Sequence, residues 1–460
     1  MSTLDDVLST IDADQASALD RLFSLLEIPS ISAVPAHYAD CNRAADWLVR
    51  ELRDLGFEAT REDTAGRPMV VGSAKAKTRD APHVLFYGHY DVQPVDPLAL
   101  WTTPPFQPRL ADGPNGQRIV ARGACDDKGQ LMTFLEACRA YRANGGLPCN
   151  VSVLFEGEEE TGSPSLPAFI AANAKALKAD LALVCDTGMW DPSTPAITTM
   201  LRGLVLEEVT IHAANRDLHS GLYGGAAINP IRVLARIVAD LHDANGAVAL
   251  PGFYDGVEEL AEEVAQQWRE LDFDEAKFLG EVGLSVPAGE KDRSALEMIW
   301  SRPTCDVNGI VGGYTGEGTK TVLPAKASAK ISFRLVGKQN PDRIVQAFRA
   351  FVTARLPADV TAEFISHGAS AAISLSARSE AVRRAGRALA AEWGKPAMLI
   401  GSGGSIPVVG SFKRDLGMDS LMVGFGLEDD AVHSPNEKYE RSSFHKGARS
   451  WARILAALAE

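Results

Sequence analysis

The chain has 460 residues, 46% of them hydrophobic and 23% charged, which is the composition of a folded globular protein and excludes disorder of any length. Its length exceeds what one core usually organises, so two domains are expected. The formal net charge of −14 excludes a phosphate-binding surface of clustered Lys and Arg, and no nucleic-acid partner is expected.

Residues 1–30, "MSTLDDVLSTIDADQASALDRLFSLLEIPS", read as an amphipathic acidic helix without the basic flank and apolar core of a secretion signal. No run approaches the roughly 18 apolar residues that cross a bilayer, so no membrane partner is expected. Cys41, Cys125, Cys138, Cys149, Cys185 and Cys305 are scattered without paired spacing. That suits a cytoplasmic location, with thiols used as small core groups.

Three β-rich runs come next: "HVLFYGHYDV" (83–92), "NVSVLFEG" (150–157) and "DLALVCD" (180–186). Each ends in acidic or His residues, and helical patterns separate them, as in an α/β sheet with a site at the carboxyl ends of its strands. Between the first two, Leu131, Leu135 and Cys138 recur with Phe134 and Tyr141 at helical spacing until Gly145 and Gly146 stop the helix. Asp126 falls at the amino end of that helix, where free N–H groups favour a carboxylate.

From about residue 204 the texture changes. "LVLEEVTIHA" reads as a strand, "NPIRVLARIVADLHDANG" as a helix with Pro230 near its start and Gly246 after it, "SAKISFRLVG" as a strand, "DRIVQAFRAFVTARL" as a helix and "VTAEFISH" as a strand. These form a smaller α+β domain of split βαβ type, with an insertion at about 250–320 holding two more helices. A helix at 378–393, the Gly-rich "IGSGGSIPVVG" and "SLMVGFGLEDDAVHSPNEK" then return to the first sheet. The expected division is 1–203 and 378–460 for the larger domain, with 204–377 inserted between them.

The stretch "LFEGEEETGS" (154–163) crowds Glu156, Glu158, Glu159 and Glu160 behind a buried strand. Like charges that close need a compensating cation or a solvent-facing turn. His89, Asp91, Asp126, Asp127, Glu159, Glu160, Asp186 and the distant His433 all fall where adjacent strands would converge, and imidazole with carboxylate suits zinc or another first-row divalent metal. Glu156 and Glu158 are expected to be local turn and solvent groups, and Asp127 and Lys128 helix-start residues. Cys125 and Cys185 are expected to be packing groups.

In order, "GHYDVQP", "RGACDDKG", "EGEEETGS", "CDTGMW", "DLHSGLYGG", "GGSIP" and "AVHSPNEK" resemble the motifs of the M20 family of co-catalytic metallopeptidases, and within it the carnosinase-like dipeptidases. The resemblance implies a mixed-sheet di-metal catalytic domain with an inserted lid and dimerisation domain. It implies one cation on His89, Asp126 and Asp186 and a second on Asp126, Glu160 and His433, with Asp126 bridging. Glu159 is then the general base, and Asp91 orients the His89 ring. Two cations roughly 3.5–4 Å apart lower the pKa of a shared water and polarise the scissile carbonyl. The resemblance also implies a cis Asp126–Asp127 peptide, an oxyanion-stabilising His219 reaching a partner subunit's site in a homodimer, and a substrate-binding set of Arg334, Thr321 and Ser405.

One departure stands out: carnosinase-like enzymes often carry a charged pair before "GGSIP", where this chain has Gly401 and Ser402. Carnosine specificity is therefore not carried over. The reading is a two-metal hydrolase, with zinc expected and manganese or cobalt as alternatives, that cleaves dipeptides or N-acyl amino acids with a free carboxylate. The alternatives are a deacylase or amidase of a non-peptide N-acyl compound, and a metal-containing binding protein without turnover. A non-metal α/β hydrolase is disfavoured because no GxSxG nucleophile elbow is present.

Overall fold

The computed structural model describes residues 3–271, 273–404 and 406–460. The chain divides into two compact units: Met1–Thr199, Leu375–Ile400 and Pro407–Glu460 form the first, and Met200–Ser374 with Gly401–Ile406 form the second.

The first unit is built on a mixed sheet. Its strands run Glu58–Glu62, Met69–Ala74, Asn150–Glu156, His83–His89, Leu181–Val184, Ser420–Met422 and Ala196–Leu201 in spatial order. The four from Asn150–Glu156 to Ser420–Met422 are mutually parallel, and their neighbours are antiparallel. Parallel strands are covered on both faces, which explains why Val84, Leu85, Phe86 and Tyr87 are all buried without alternation. Helix Lys128–Ala143 packs between sheet and C-terminal helix Arg441–Leu458. Phe134 stacks on Phe86 at 3.8 Å, and Trp451 meets both rings edge-on at 5.6 and 5.7 Å.

The N-terminal pattern forms two helices, Leu4–Ala13 and Gln15–Leu26, because Asp14 leaves the helical region at φ −99°, ψ 12°. A three-stranded antiparallel sheet of Lys438–Glu440, Gly116–Val120 and Arg109–Gly113, unmarked in the sequence pattern, ties the chain's last loop to the loop before Asp126. Among the described residues no helix is long and apolar enough to cross a membrane.

The second unit is an antiparallel sheet ordered Thr304–Gly312, Lys326–Leu335, Gly203–His212, Thr361–Ser370. Strand Gly203–His212 alternates strictly between buried and half-buried positions, so one face is covered. Helices Pro230–Ala239 and Pro341–Thr353 pack on that sheet. Each begins with Pro and an Asn cap: Asn229 Oδ1 accepts from Ile231 N at 2.9 Å and Asn340 Oδ1 from Arg343 N at 3.1 Å. The first helix stops at Ala239, earlier than its periodicity predicts, because the chain turns so that His242 bridges Val248. The insertion holds three short helices, Glu262–Glu270, Glu275–Gly280 and Ala295–Trp300, and the Thr304–Gly312 strand, whose largely exposed side chains lack the alternation that marks a strand.

Candidate metal centre

The carboxyl ends of the parallel strands in the first unit deliver one residue set to one place. His89 closes its strand, and its backbone N–H donates to Asp127 Oδ2 at 3.1 Å. Its Nδ1 lies 3.1 Å from the Asp91 carbonyl and 3.4 Å from Asp91 Oδ1, both acceptors, so Nδ1 keeps a proton and Nε2 is the nitrogen left for a metal. Asp91 does more than face this ring. Its two oxygens accept from Glu159 N at 3.2 Å and Glu160 N at 3.1 Å, fixing the turn that holds both glutamates.

Asp126 sits between the two imidazoles. Its Oδ1 is 3.0 Å from His89 Nε2 and its Oδ2 is 2.9 Å from His433 Nε2, while Glu160 Oε2 is 3.1 Å from the same His433 nitrogen. The ligand atoms of His89, Asp126 and Asp186 lie within 4.8 Å of one another, and so do those of Asp126, Glu160 and His433. The Asp126–Asp127 peptide is cis. Thus Asp126 belongs to both groups, one oxygen turned to each.

A pair of divalent cations fits this set. His89 Nε2 and Glu160 Oε1 are buried and make no hydrogen bond of good geometry, although Asp126 Oδ1 stands 3.0 Å from the first. Buried polar atoms are rarely left so, and both atoms are metal-donor types. Burial, then Asp126, lifts Asp186 to about 7; burial also raises Glu159, with Glu160, Asp91 and Asp126 adding to it. Hydrogen bonds to Asp126 and Glu160 carry His433 up to about 10. These shifts are what a negative cluster shows when only imidazolium neutralises it.

Several neighbours differ from expectation. Glu156 and Glu158 are buried: Glu156 accepts from Tyr87 Oη at 2.7 Å, and Glu158 accepts from Arg67 N at 2.9 Å and Ser165 N at 3.3 Å. They are structural acceptors that shape the turn, so solvent does not hold them. Lys128 begins its helix as expected, yet its ammonium is buried and donates to the Leu25 and Ile28 carbonyls at 3.1 and 2.7 Å. Cys185 Sγ packs 3.3 Å from Asp127 Oδ2 and belongs to neither candidate metal group.

The sequence reading gave Glu437 no role. Its buried carboxylate collects four donors: Oε1 accepts from Cys125 N at 2.9 Å and Asp126 N at 3.0 Å, and Oε2 from Gly123 N at 2.9 Å and Arg122 Nη1 at 2.8 Å. It therefore fixes the backbone from which the Asp126 carboxylate hangs. Its place four residues after His433, inside "AVHSPNEK", was the available signal. Glu437→Gln would turn an amide N–H toward backbone N–H groups, and is expected to weaken metal affinity about 10–100-fold with the far-UV spectrum unchanged. Calorimetric metal titration giving the parent affinity would dismiss this role.

In the second unit, His219 and Thr321 are brought side by side. His219 pairs with Val322, Ser220 N donates to the Thr321 carbonyl at 3.0 Å, and His219 Nδ1 accepts from Gly221 N at 2.9 Å. The ring proton is thus on Nε2, free to donate. Arg334 stands on the separate Lys326–Leu335 strand, opposite Leu204 and Thr304. Ser405 lies outside the described residues. The departure at Gly401 has a local cause, since a Cβ there would stand 2.6 Å from the Cβ of Trp300.

The profile of Peptidase family M20/M25/M40 matches residues 85–457. The Cys-Gly metallodipeptidase DUG1 of Candida albicans is 30% identical over 467 residues, covering 97% of this chain and 96% of its own. The M20 family metallo-carboxypeptidase Sso-CP2 from Sulfolobus solfataricus is 31% identical, with a TM-score of 0.80 over 96% of this chain and 99% of its own. Human carnosine dipeptidase 1 is 26% identical, with a TM-score of 0.76 over 100% of both chains. Since one profile spans the parallel strands, the acidic turn and the His433 loop together, the chain belongs to peptidase family M20 and is a metallopeptidase of that family.

Proposed function

We propose that this chain hydrolyses the amide bond of dipeptides or N-acyl amino acids bearing a free carboxylate, with two divalent cations, zinc by preference, at the carboxyl ends of the first unit's strands. The observation that carries the reading is Asp126 turned to two donor groups at once, with Glu159 beside Glu160 on a turn that Asp91 fixes. When bound, the cations supply Lewis acidity to the carbonyl and lower the pKa of water.

The rest is the work of the chain's own residues. His89, Asp126 and Asp186 hold one cation; Asp126, Glu160 and His433 hold the other. The Glu159 carboxylate forms no hydrogen bond or ion pair among the described residues, so it is free to take a proton from water and pass it to the departing amine. Burial raises its pKa, which brings its basicity nearer the working pH. His219, with its proton on Nε2, serves the other subunit's site in the homodimer and donates there to the developing oxyanion, and Arg334, Thr321 and Ser405 receive the substrate's backbone and carboxylate.

Two wider elements belong to this reading. The edge strands of the second unit expose Ile310 at 57%, Val311 at 63% and Ile365 at 46%, which supports a homodimer formed through that unit. Sedimentation velocity giving a monomer at micromolar concentration would remove the dimer. The six described cysteines are all buried and reduced, which supports a cytoplasmic location.

Chelated protein is expected to be inactive on a panel of dipeptides and N-acetyl amino acids, and to regain activity with Zn, Mn or Co. Dipeptides turned over faster than N-acetyl amino acids favour the dipeptidase; the reverse order favours the deacylase. No activity with any metal and substrate would overturn the hydrolase. Metal uptake carries a pH signature as well. Without metal, His433 holds its proton up to about pH 10, and His89 is also held well above its usual pKa: burial opposes its charge, but Asp126 and Asp91 outweigh burial. A cation must displace these protons, so affinity rises with pH through the neutral range and protons are released on binding. Equal affinity at pH 6 and pH 8 would contradict that assignment.

A further inference from the structure

Among the described residues of the second unit, Arg202 and Arg334 form no ion pair. Arg334 pairs with Leu204 across the sheet, and Arg202 directly precedes Gly203, the first residue of that strand and the partner of Leu335, so the two arginines are neighbours at this end of the sheet. Leu204 and its partner Arg334 face away from the apolar core to which Val205, Val209 and Ile211 belong. Arg202 is half-buried and anchored at one side: Nε donates to the Gly403 carbonyl at 3.2 Å, Nη1 to the Met298 carbonyl at 3.4 Å, and its backbone N–H to the Ser402 carbonyl at 3.4 Å. Its Nη2 side is kept open by a glycine, since a Cβ on Gly403 would stand 3.0 Å from that nitrogen. Among the described residues neither guanidinium is ion-paired, and Arg334 has no hydrogen-bond partner.

Two neighbouring guanidinium charges are unfavourable until an anion joins them. Burial, and after it the Arg334 charge, press Arg202 down to about 10, with Asp306 on the adjoining strand opposing the shift. The planar donors of a guanidinium match the two oxygens of a carboxylate.

We propose that Arg202 and Arg334 together form a carboxylate cradle, in which Arg202 is a second specificity-determining residue for substrates with a free terminal carboxylate. The naming of the ligand as substrate rests on the hydrolase reading, while the cradle rests on the placement of the two arginines. Arg202 is the arm held in place by three backbone contacts, and Arg334 is the arm without one.

The test uses metal-depleted full-length protein and two probes that differ only in charge, N-acetylglycine and N-acetylglycinamide, followed by calorimetry. The parent protein is expected to bind the acid at least tenfold more tightly than the amide. Arg202→Met and Arg334→Met are each expected to lose about 10–100-fold in affinity for the acid, with Arg202→Lys recovering part of it and none of them changing affinity for the amide. A merely structural Arg202 would weaken both probes alike, and Arg334→Met, which removes no backbone contact, keeps the test open should Arg202→Met fail to fold. Equal binding of the two probes, no detectable binding of the acid, or full discrimination in Arg202→Met overturns the cradle. Discrimination between the probes in a protein that cleaves no dipeptide would overturn the hydrolase reading and leave the cradle standing.

Discussion

Glu159→Ala is expected to retain both cations and to lose about 10²–10⁴-fold in kcat, equivalent to about 3–5 kcal/mol of barrier. The separation follows from where each glutamate is tied. Both backbone N–H groups are held by Asp91, but only the Glu160 side chain is engaged, with His433 at 3.1 Å and Gln93 Nε2 at 2.8 Å. Removing the neighbouring side chain therefore takes away a proton acceptor and leaves the donor set intact. Glu159→Gln, of the same size but unable to accept the proton, should match alanine, and KM should move little in either. Elemental analysis and steady-state kinetics on the same preparation decide it. Parent turnover in the alanine variant would end the general-base assignment, whereas loss of a cation would move Glu159 among the ligands.

Asp126→Asn should have the larger effect on metal, emptying both positions together. Its Oδ1 and Oδ2 face His89 and His433 respectively, and an amide offers one weak acceptor and a donor in place of two anionic oxygens. Asp186→Asn and Glu160→Gln each belong to one donor group only, so each is expected to cost one cation and spare the other. The pattern across the three variants, two lost against one and one, is the measurement. An Asp126→Asn protein carrying two cations at parent affinity would remove the shared-ligand geometry.

Strands leading to His89 and Asp186 were legible because unbroken apolar runs announce a sheet covered on both faces, and any polar residue following such a run is conspicuous. The resemblance added the pairing of residues as far apart as Asp126 and His433, which no local pattern carries. The Thr304–Gly312 strand escaped because its exposed side chains give no alternation to read. Glu156 and Glu158 misled because charge suggests solvent, while their partners, the Tyr87 hydroxyl and the amides of Arg67 and Ser165, are apparent only in three dimensions. Glu437 was invisible for a related reason: three of its four donors are main-chain N–H groups, which every sequence possesses alike.

The reach of Glu437 to residues 123–126 also sets an order of assembly during synthesis. Asp126, Glu159, Glu160 and Asp186 leave the ribosome early, whereas His433 and Glu437 arrive only after the whole second unit has been made. Domains tend to fold as they emerge. The nascent first unit must therefore carry a cluster of mutually repelling carboxylates, its bridging aspartate not yet fastened, until the final segment returns. The donor set around both cations is thus completed only on the finished polypeptide, and a chain cut short before His433 cannot complete it.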